Sequence, residues 1–235
     1  MGTYGQFCPI ARAAEVFAER WTPLILRELA NGEDHFNGLA RGCRGISPGV
    51  LGKRLRALED VGIVERARNQ MGRGSTYHLT AAGRELSGVL ESLGVWGQRW
   101  LELDPEHLDA DALMWRFYKV LDPATLPART VVLRFEFHGN PRPRWLVLRR
   151  DDPDVCAHDP GLETDVVISA DLEALVRVYL GELTLKDAAA IGLVRAEGPA
   201  SLVRQLPTWI GRTDLARHAR PRRYDAKTHA FVRAV

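Results

Sequence analysis

The stretch GISPGVLGKRLRALEDVGIVER, residues 45–66, limits the fold more tightly than any other part of the chain. Ser47 is a favoured N-cap type, and Pro48 suits the first helical position, where a missing N–H costs nothing. Leu51, Leu55 and Leu58 recur at i, i+4 and i+7, so one face of this helix must be buried. At about 100° per residue, Gly49, Lys53, Arg56 and Asp60 fall opposite that row, with Arg54 beside it. Gly62 stops the helix. The result is a helix that packs by one side and presents cations on the other.

The flanking sequence puts this helix fourth in a row of helices and ahead of a hairpin. Pro9 opens a predicted helix over 9–18, a second spans 21–30 and stops at Asn31-Gly32, and a short one lies near 36–43. After Gly62, the segments 63–68 and 75–79 alternate around NQMGRG, which predicts a hairpin with a glycine-rich tip. Thr80 is a cap candidate for a helix over 81–103. Helices followed by a two-stranded wing, with the basic helix just before the wing, is a winged helix-turn-helix order. In that geometry the first turns of the basic helix enter the major groove of DNA, where Lys53 and Arg56 can reach guanine edges. Pro48 and Gly49 keep the surface low, and Ser47 with the free first-turn amides can hold a phosphate. Arg54 is assigned to the phosphates. Arg68 and Arg73, at the hairpin tip, are assigned to the backbone or the minor groove.

Charge supports the same placement. The whole chain carries only +2, yet residues 41–73 hold eight basic against three acidic groups. Residues 101–211 are net acidic by six, and residues 212–235 are net basic by five. A local basic patch marks a polyanion surface in a way that net charge does not.

The sequence resembles the HxlR-type winged-helix transcriptional regulators of bacteria. The resemblance rests on CPIARA at 8–13, ERWTPLILREL at 19–29, residues 36–39, the stretch 45–66 and YHLTAAGREL at 77–86. It implies a homodimer on a pseudo-palindromic double-stranded operator, joined through the N-terminal arm and the long helix after the wing. The stripe Leu86, Leu90, Leu93, Trp96 and Trp100 on that helix is too apolar for water. It serves either dimerisation or packing within the chain. Cys8, before Pro9 at a helix start, is where some members of the resembled family sense oxidants, because a helix N-terminus favours the reactive thiolate. The alternative is a small apolar residue packed at an interface.

Beyond an acidic boundary at ELDPEHLDAD, residues 130–206 look similar to the sterol-carrier-protein-like fold. The segments VVLRFEFHG, RWLVLR and TDVVISADLEALVRVYLGELTLKDAAAIGLVRAEGP carry that likeness. It implies a small apolar ligand and an effector-sensing role. The residues by themselves equally allow a structural role. The expected fold class is therefore α+β: a winged helix-turn-helix over 1–103, a helical linker over 104–129, and a sterol-carrier-like α/β domain over 130–211. That last domain is expected to have a mostly antiparallel five-stranded sheet. Residues 212–235 form a basic, loosely held tail. Helix is predicted for 110–121, 171–180 and 199–210.

Other function classes find little support. There is no GxSxG elbow, no GxxxxGK[ST] loop and no HExxH pair among the seven histidines. Asp151-Asp152-Pro153-Asp154 reads as a solvated turn. No enzyme, metal or cofactor is expected. Three scattered cysteines, no apolar run of membrane length and no secretory leader predict a cytoplasmic protein with no membrane partner. The competing reading is a carrier or sensor of a small apolar molecule whose winged helix binds protein instead of DNA.

Overall fold

The computed structural model describes residues 2–68 and 74–233. The chain divides into two compact units, residues 1–93 and 94–235.

In the first unit, α1 (Pro9–Phe17), α2 (Thr22–Ala30), α3 (Phe36–Gly42) and α4 (Pro48–Asp60) precede a hairpin of β1 (Val64–Arg68) and β2 (Ser75–Leu79). The strands pair antiparallel from Val64↔Leu79 to Arg68↔Ser75. The tip, with Arg73, lies outside the described residues. The core is formed by Ile25, Leu26 and Leu29 of α2, Leu39 of α3, Leu51, Leu55 and Leu58 of α4, and Val64 and Leu79 of the hairpin. Each leucine fully removed from water contributes roughly 1.5–3 kcal/mol. Trp21, at φ 78°, turns the chain sharply between α1 and α2.

The helix after the wing is α5 (Ala81–Trp100). Thr80 caps it, its Oγ1 accepting from the Gly83 amide at 3.2 Å and donating to the Gly62 carbonyl at 2.7 Å. The helix ends three residues before the expected 103, ahead of Asp104-Pro105. Gly83 lets α5 lie against the end of α4's exit turn: a Cβ there would sit 2.2 Å from the Ile63 carbonyl oxygen and 3.1 Å from Leu79 Cδ2. Because the first obstacle is backbone, it cannot rotate away. Gly83→Ala is expected to cost roughly 1–3 kcal/mol, read as a lower urea midpoint for the first unit.

The second unit contains α6 (Ala110–Lys119), β3 (Val131–Phe137), β4 (Arg144–Leu148), β5 (Asp154–Cys156), β6 (Val166–Ala170), α7 (Leu172–Leu180), α8 (Leu185–Ala190) and β7 (Val194–Glu197). The strand order is β5-β4-β3-β6-β7. This corrects the expected mostly antiparallel sheet. The central neighbours β3 and β6 run parallel, Leu133↔Val166 to Phe137↔Ala170, so the sheet is mixed. The chain leaves β5 on one edge and must cross to the far side of β3, and such a crossover delivers β6 in the same direction as β3. Within residues 104–129, Leu113, Met114 and Phe117 of α6 are buried in the same core as the sheet.

That core lies on one face of the sheet. Val131, Leu133, Phe135 and Phe137 of β3, with Leu146, Val166 and Ile168, meet α6, α7 and the segment after β7. The expected helix over 199–210 is two short ones, α9 (Ala200–Val203) and α10 (Leu206–Trp209). Pro207 lacks the N–H that a continuous helix would need. Trp209 is fully buried and donates from Nε1 to the Thr125 carbonyl at 3.2 Å.

Asp165 stitches the start of β6 to β3. It accepts from the Val132 amide at 2.9 Å and pairs with Arg129 at 2.8 Å. Burial alone would raise its proton affinity, but the Arg129 guanidinium and the Val132 amide outweigh this and hold the carboxyl below its ordinary value. A depressed folded-state value contributes stability above the ordinary carboxylate range and loses it as pH falls through the lowered value. Asp165→Asn is therefore expected to destabilise the chain at pH 7, with the deficit shrinking on acidification in urea melts across that range.

The described part of the basic tail, as far as residue 233, forms secondary structure. A 3-10 turn spans Asp214–His218, followed by β8 (Arg222–Asp225) and β9 (Ala230–Arg233), paired antiparallel. The Arg222 amide donates to the Glu182 carbonyl at 2.8 Å, its guanidinium meets Glu102 at 2.5 Å, and Phe231 lies 4.8 Å from the Arg177 guanidinium. Glu102 and Glu182 thus pair with Arg222 of the tail. No helix among the described residues is long and apolar enough to cross a membrane.

Candidate nucleic-acid interface

The local sequence builds α4 as its residue types dictate. Ser47 Oγ accepts from the Val50 amide at 3.3 Å, Pro48 occupies the first turn, and Leu51, Leu55 and Leu58 are at most 1 % exposed. Ser47, Pro48, Gly49, Lys53 and Arg56 are all exposed. A Cβ added at Gly49 would meet nothing within 4 Å, so this turn is open to close approach. Among the described residues, neither Lys53 nor Arg56 is held in an ion pair. The structure thus brings these five together on one outward surface. Arg41 and Arg44 are exposed just before it.

Arg54 is placed differently. Its Nη2 lies 2.6 Å from Glu19 Oε2, and its side chain is only 19 % exposed. An internal carboxylate already occupies the group assigned to phosphates. Arg68 is exposed at the end of β1. Arg66, not singled out from sequence, is exposed on the same strand and donates from Nε to Ser75 Oγ at 2.9 Å. Val50 was also missed: it is 38 % exposed on the outer side of α4, one turn before Lys53. The signal was its distance from the leucine row.

The apolar stripe of α5 divides. Leu86 and Leu90 are half-buried against the core of the first unit. Val89, Leu93, Trp96 and Trp100 are about half exposed. In the second unit, the Arg220 guanidinium covers part of the Trp100 ring at 4.6 Å. In the N-terminal arm, Tyr4, Phe7 and Ile10 are exposed, Phe7 almost fully. Cys8 is half-buried at the cap of α1 and makes no cap hydrogen bond through its side chain.

Comparison with known proteins agrees with this arrangement. The family model described as HxlR-like helix-turn-helix matches residues 16–105. The HTH-type transcriptional regulator sll1512 of Synechocystis is 36% identical over 99 residues, 42% of this chain and 73% of that protein. YvaP of Bacillus subtilis, another HTH-type transcriptional regulator, is 31% identical over 106 residues, 44% of this chain and 96% of that protein. Rv3095 of Mycobacterium tuberculosis, also an HTH-type transcriptional regulator, is 41% identical over 93 residues. The match covers 39% of this chain and only 58% of that protein. With the helix order, the outward basic helix and the wing in place, these matches identify the chain as a member of the HxlR-like helix-turn-helix family.

Proposed function

We propose that the chain is a dimeric, sequence-specific transcriptional regulator, a repressor, in which α4 reads the major groove. The observation that carries this reading is the outward pair Lys53 and Arg56 on a helix whose opposite face is anchored by three buried leucines. Lysine and arginine at that depth can donate to guanine O6 and N7, and the exposed Val50 offers a methyl contact to thymine. The Ser47 turn and Arg68 serve the phosphates. Arg73 belongs to the same reading but lies outside the described residues. Arg54 joins only if Glu19 releases it.

Dimerisation is assigned to the exposed part of α5, Leu93, Trp96 and Trp100 with Val89, and to the apolar arm. Half-exposed tryptophans on a helix are more than a lone chain leaves in water. Leu86 and Leu90, expected in the same interface, stay with the core of their own unit. A two-fold dimer places two copies of α4 about 34 Å apart, one turn of DNA. For the second unit, a supporting role fits better than a sterol-carrier-like sensor of an apolar ligand. Phe117, Phe135 and Trp209 fill its interior. Cys8 is the candidate oxidant-sensing thiol, and Cys8→Ser is expected to abolish any loss of DNA affinity on mild oxidation.

Selection of bound fragments from random duplexes tests the whole reading. Enriched sites should contain two related half-sites, with affinity falling linearly in log–log against salt. No enrichment and a flat salt response would support the carrier reading, with the winged helix as a protein-binding module.

A further inference from the structure

A cleft of about 480 Å³ opens in the first unit, where the end of α2, the loop after it, β2 and the first turns of α5 meet. That size is typical of small-molecule sites. Three local features build it. Asn31 caps α2, and Gly32, at φ 78°, turns the chain away from the helix. The Tyr77 amide donates to the Asp34 carbonyl at 2.9 Å, which holds the loop on β2. Gly83 allows α5 to start directly against the Ile63 carbonyl. Leu29 and Leu79 line the cleft from the core side, both less than a tenth exposed, and the half-buried Tyr77 adds a ring.

Arg84 lines the same cleft. Its Nη1 donates to the Leu79 carbonyl at 2.7 Å, which fixes the guanidinium at the end of β2. A guanidinium has five N–H donors, and among the described residues no carboxylate pairs with this one. Arg84 also closes the first turn of α5, the end at which the helix dipole favours negative charge. Ser87 follows on the same side of the helix and lines the cleft as well. Its hydroxyl has no hydrogen-bond partner among the described residues. The carboxylate on the lining, Asp34, is already met by His35 Nδ1. The cleft thus joins an apolar floor to a fixed cation with unused donors.

We propose that this cleft binds a small organic carboxylate, its charged end on Arg84 and Ser87 and its apolar body against Leu29, Leu79 and the Tyr77 ring. Guanidinium forks match carboxylate geometry, and charge-assisted hydrogen bonds are the stronger class. A bare inorganic ion could use the guanidinium but not the floor. A neutral apolar molecule could use the floor but not the guanidinium. The lining includes no residue of α4, so the site does not depend on the groove-reading assignment.

The test titrates the full chain, without DNA, with hexanoate and with phenylacetate, followed by nitrogen-15 NMR. Saturable shifts are expected at the Gly32, His78 and Ser87 amides and at Arg84 Nε–H. Affinity should fall about tenfold or more in Arg84→Gln, and by less in Arg84→Lys, which keeps the charge but loses the fork. Ser87→Glu, which sets a carboxylate beside Arg84, should abolish binding. Lys186→Gln, an exposed cation of the second unit, should leave it unchanged. Hexanol and inorganic phosphate should each bind about tenfold more weakly than hexanoate. Arg84 and Ser87 are both exposed, so their variants should keep the fold, checked by near-ultraviolet circular dichroism. The proposal is overturned if neither carboxylate gives saturable shifts, or if Arg84→Gln or Ser87→Glu binds as well as wild type. It is equally overturned if Lys186→Gln loses as much affinity as Arg84→Gln, or if hexanol or phosphate matches hexanoate.

Discussion

K53A/R56A is expected to eliminate sequence-specific DNA binding while leaving the fold intact. Each good bidentate contact to a base is worth about 1–3 kcal/mol of discrimination, so losing both brings specific binding close to the non-specific level. Both side chains are exposed and, among the described residues, held in no ion pair. Their removal should change stability by no more than about 0.5 kcal/mol. Fluorescence anisotropy with the selected duplex gives the affinity, and a urea melt gives the stability. Operator affinity equal to wild type in a folded double variant would refute the assignment of α4. Arginine 54 supplies an internal contrast. It is held by Glu19, so R54A should cost less affinity than R56A, and Glu19→Gln, which frees the guanidinium, should strengthen binding and steepen its salt dependence.

The largest stability effect is expected at Glu182. Its carboxylate lies 2.5 Å from Arg177 Nη1 and 3.9 Å from Arg222 Nε, and all three side chains are at most 7 % exposed. Gln98 Nε2 also donates to it at 3.5 Å. Removing one partner of a buried ion pair leaves uncompensated charge, and such losses run to about 3–5 kcal/mol. Glu173 still holds the other edge of Arg177 at 2.7 Å, which places Glu182→Ala toward the lower end of that range. The measurement is a urea melt of the chain combined with hydrogen exchange. Protection should be lost first at the Arg222 amide, which donates to the Glu182 carbonyl, and then along β8 and β9. Glu163→Ala, at an exposed carboxylate, should be close to neutral. Equal melts for the two variants would mean that the cluster does not fasten the C-terminal hairpin.

Much of the first unit could be read in advance because its determinants are close in sequence. The leucine row of α4, the Ser47 and Thr80 caps, Gly62 and the alternation of 63–68 and 75–79 act within one or two turns. The leucine row, the caps and the hairpin appeared as expected, although in β1 only Val64 is buried. The outward basic face followed from the same periodicity, and so did the family resemblance, whose residues all lie before position 87. The pairing of Arg54 was not legible because its partner, Glu19, lies 35 positions away in the turn between α1 and α2, and no local pattern records that encounter. Val50 and Arg66 were overlooked for a related reason. Exposure is decided by what packs over a residue, not by the residue itself.

The second unit shows the same division more sharply. The helix expected from residue 171 was legible, and Asp171 caps it by accepting from the Ala174 amide at 2.8 Å. The parallel pairing of β3 with β6 was not, because any order of five apolar strands satisfies the same alternation. The tail looked detachable because its composition is basic and polar. What holds it is a set of acidic groups at positions 102 and 182 that only the folded chain brings alongside.

By itself, the sequence determined the helices, the hairpin, the caps and the placement of Lys53 and Arg56 opposite a buried row. These depend on backbone periodicity and on side chains a few residues apart. The tertiary structure alone decided which cations stay available, which part of the α5 stripe remains in water, how the five strands are ordered, and that Arg99 meets His218. Those outcomes depend on pairings across up to 120 positions, whose energies arise only once burial has removed water from both partners.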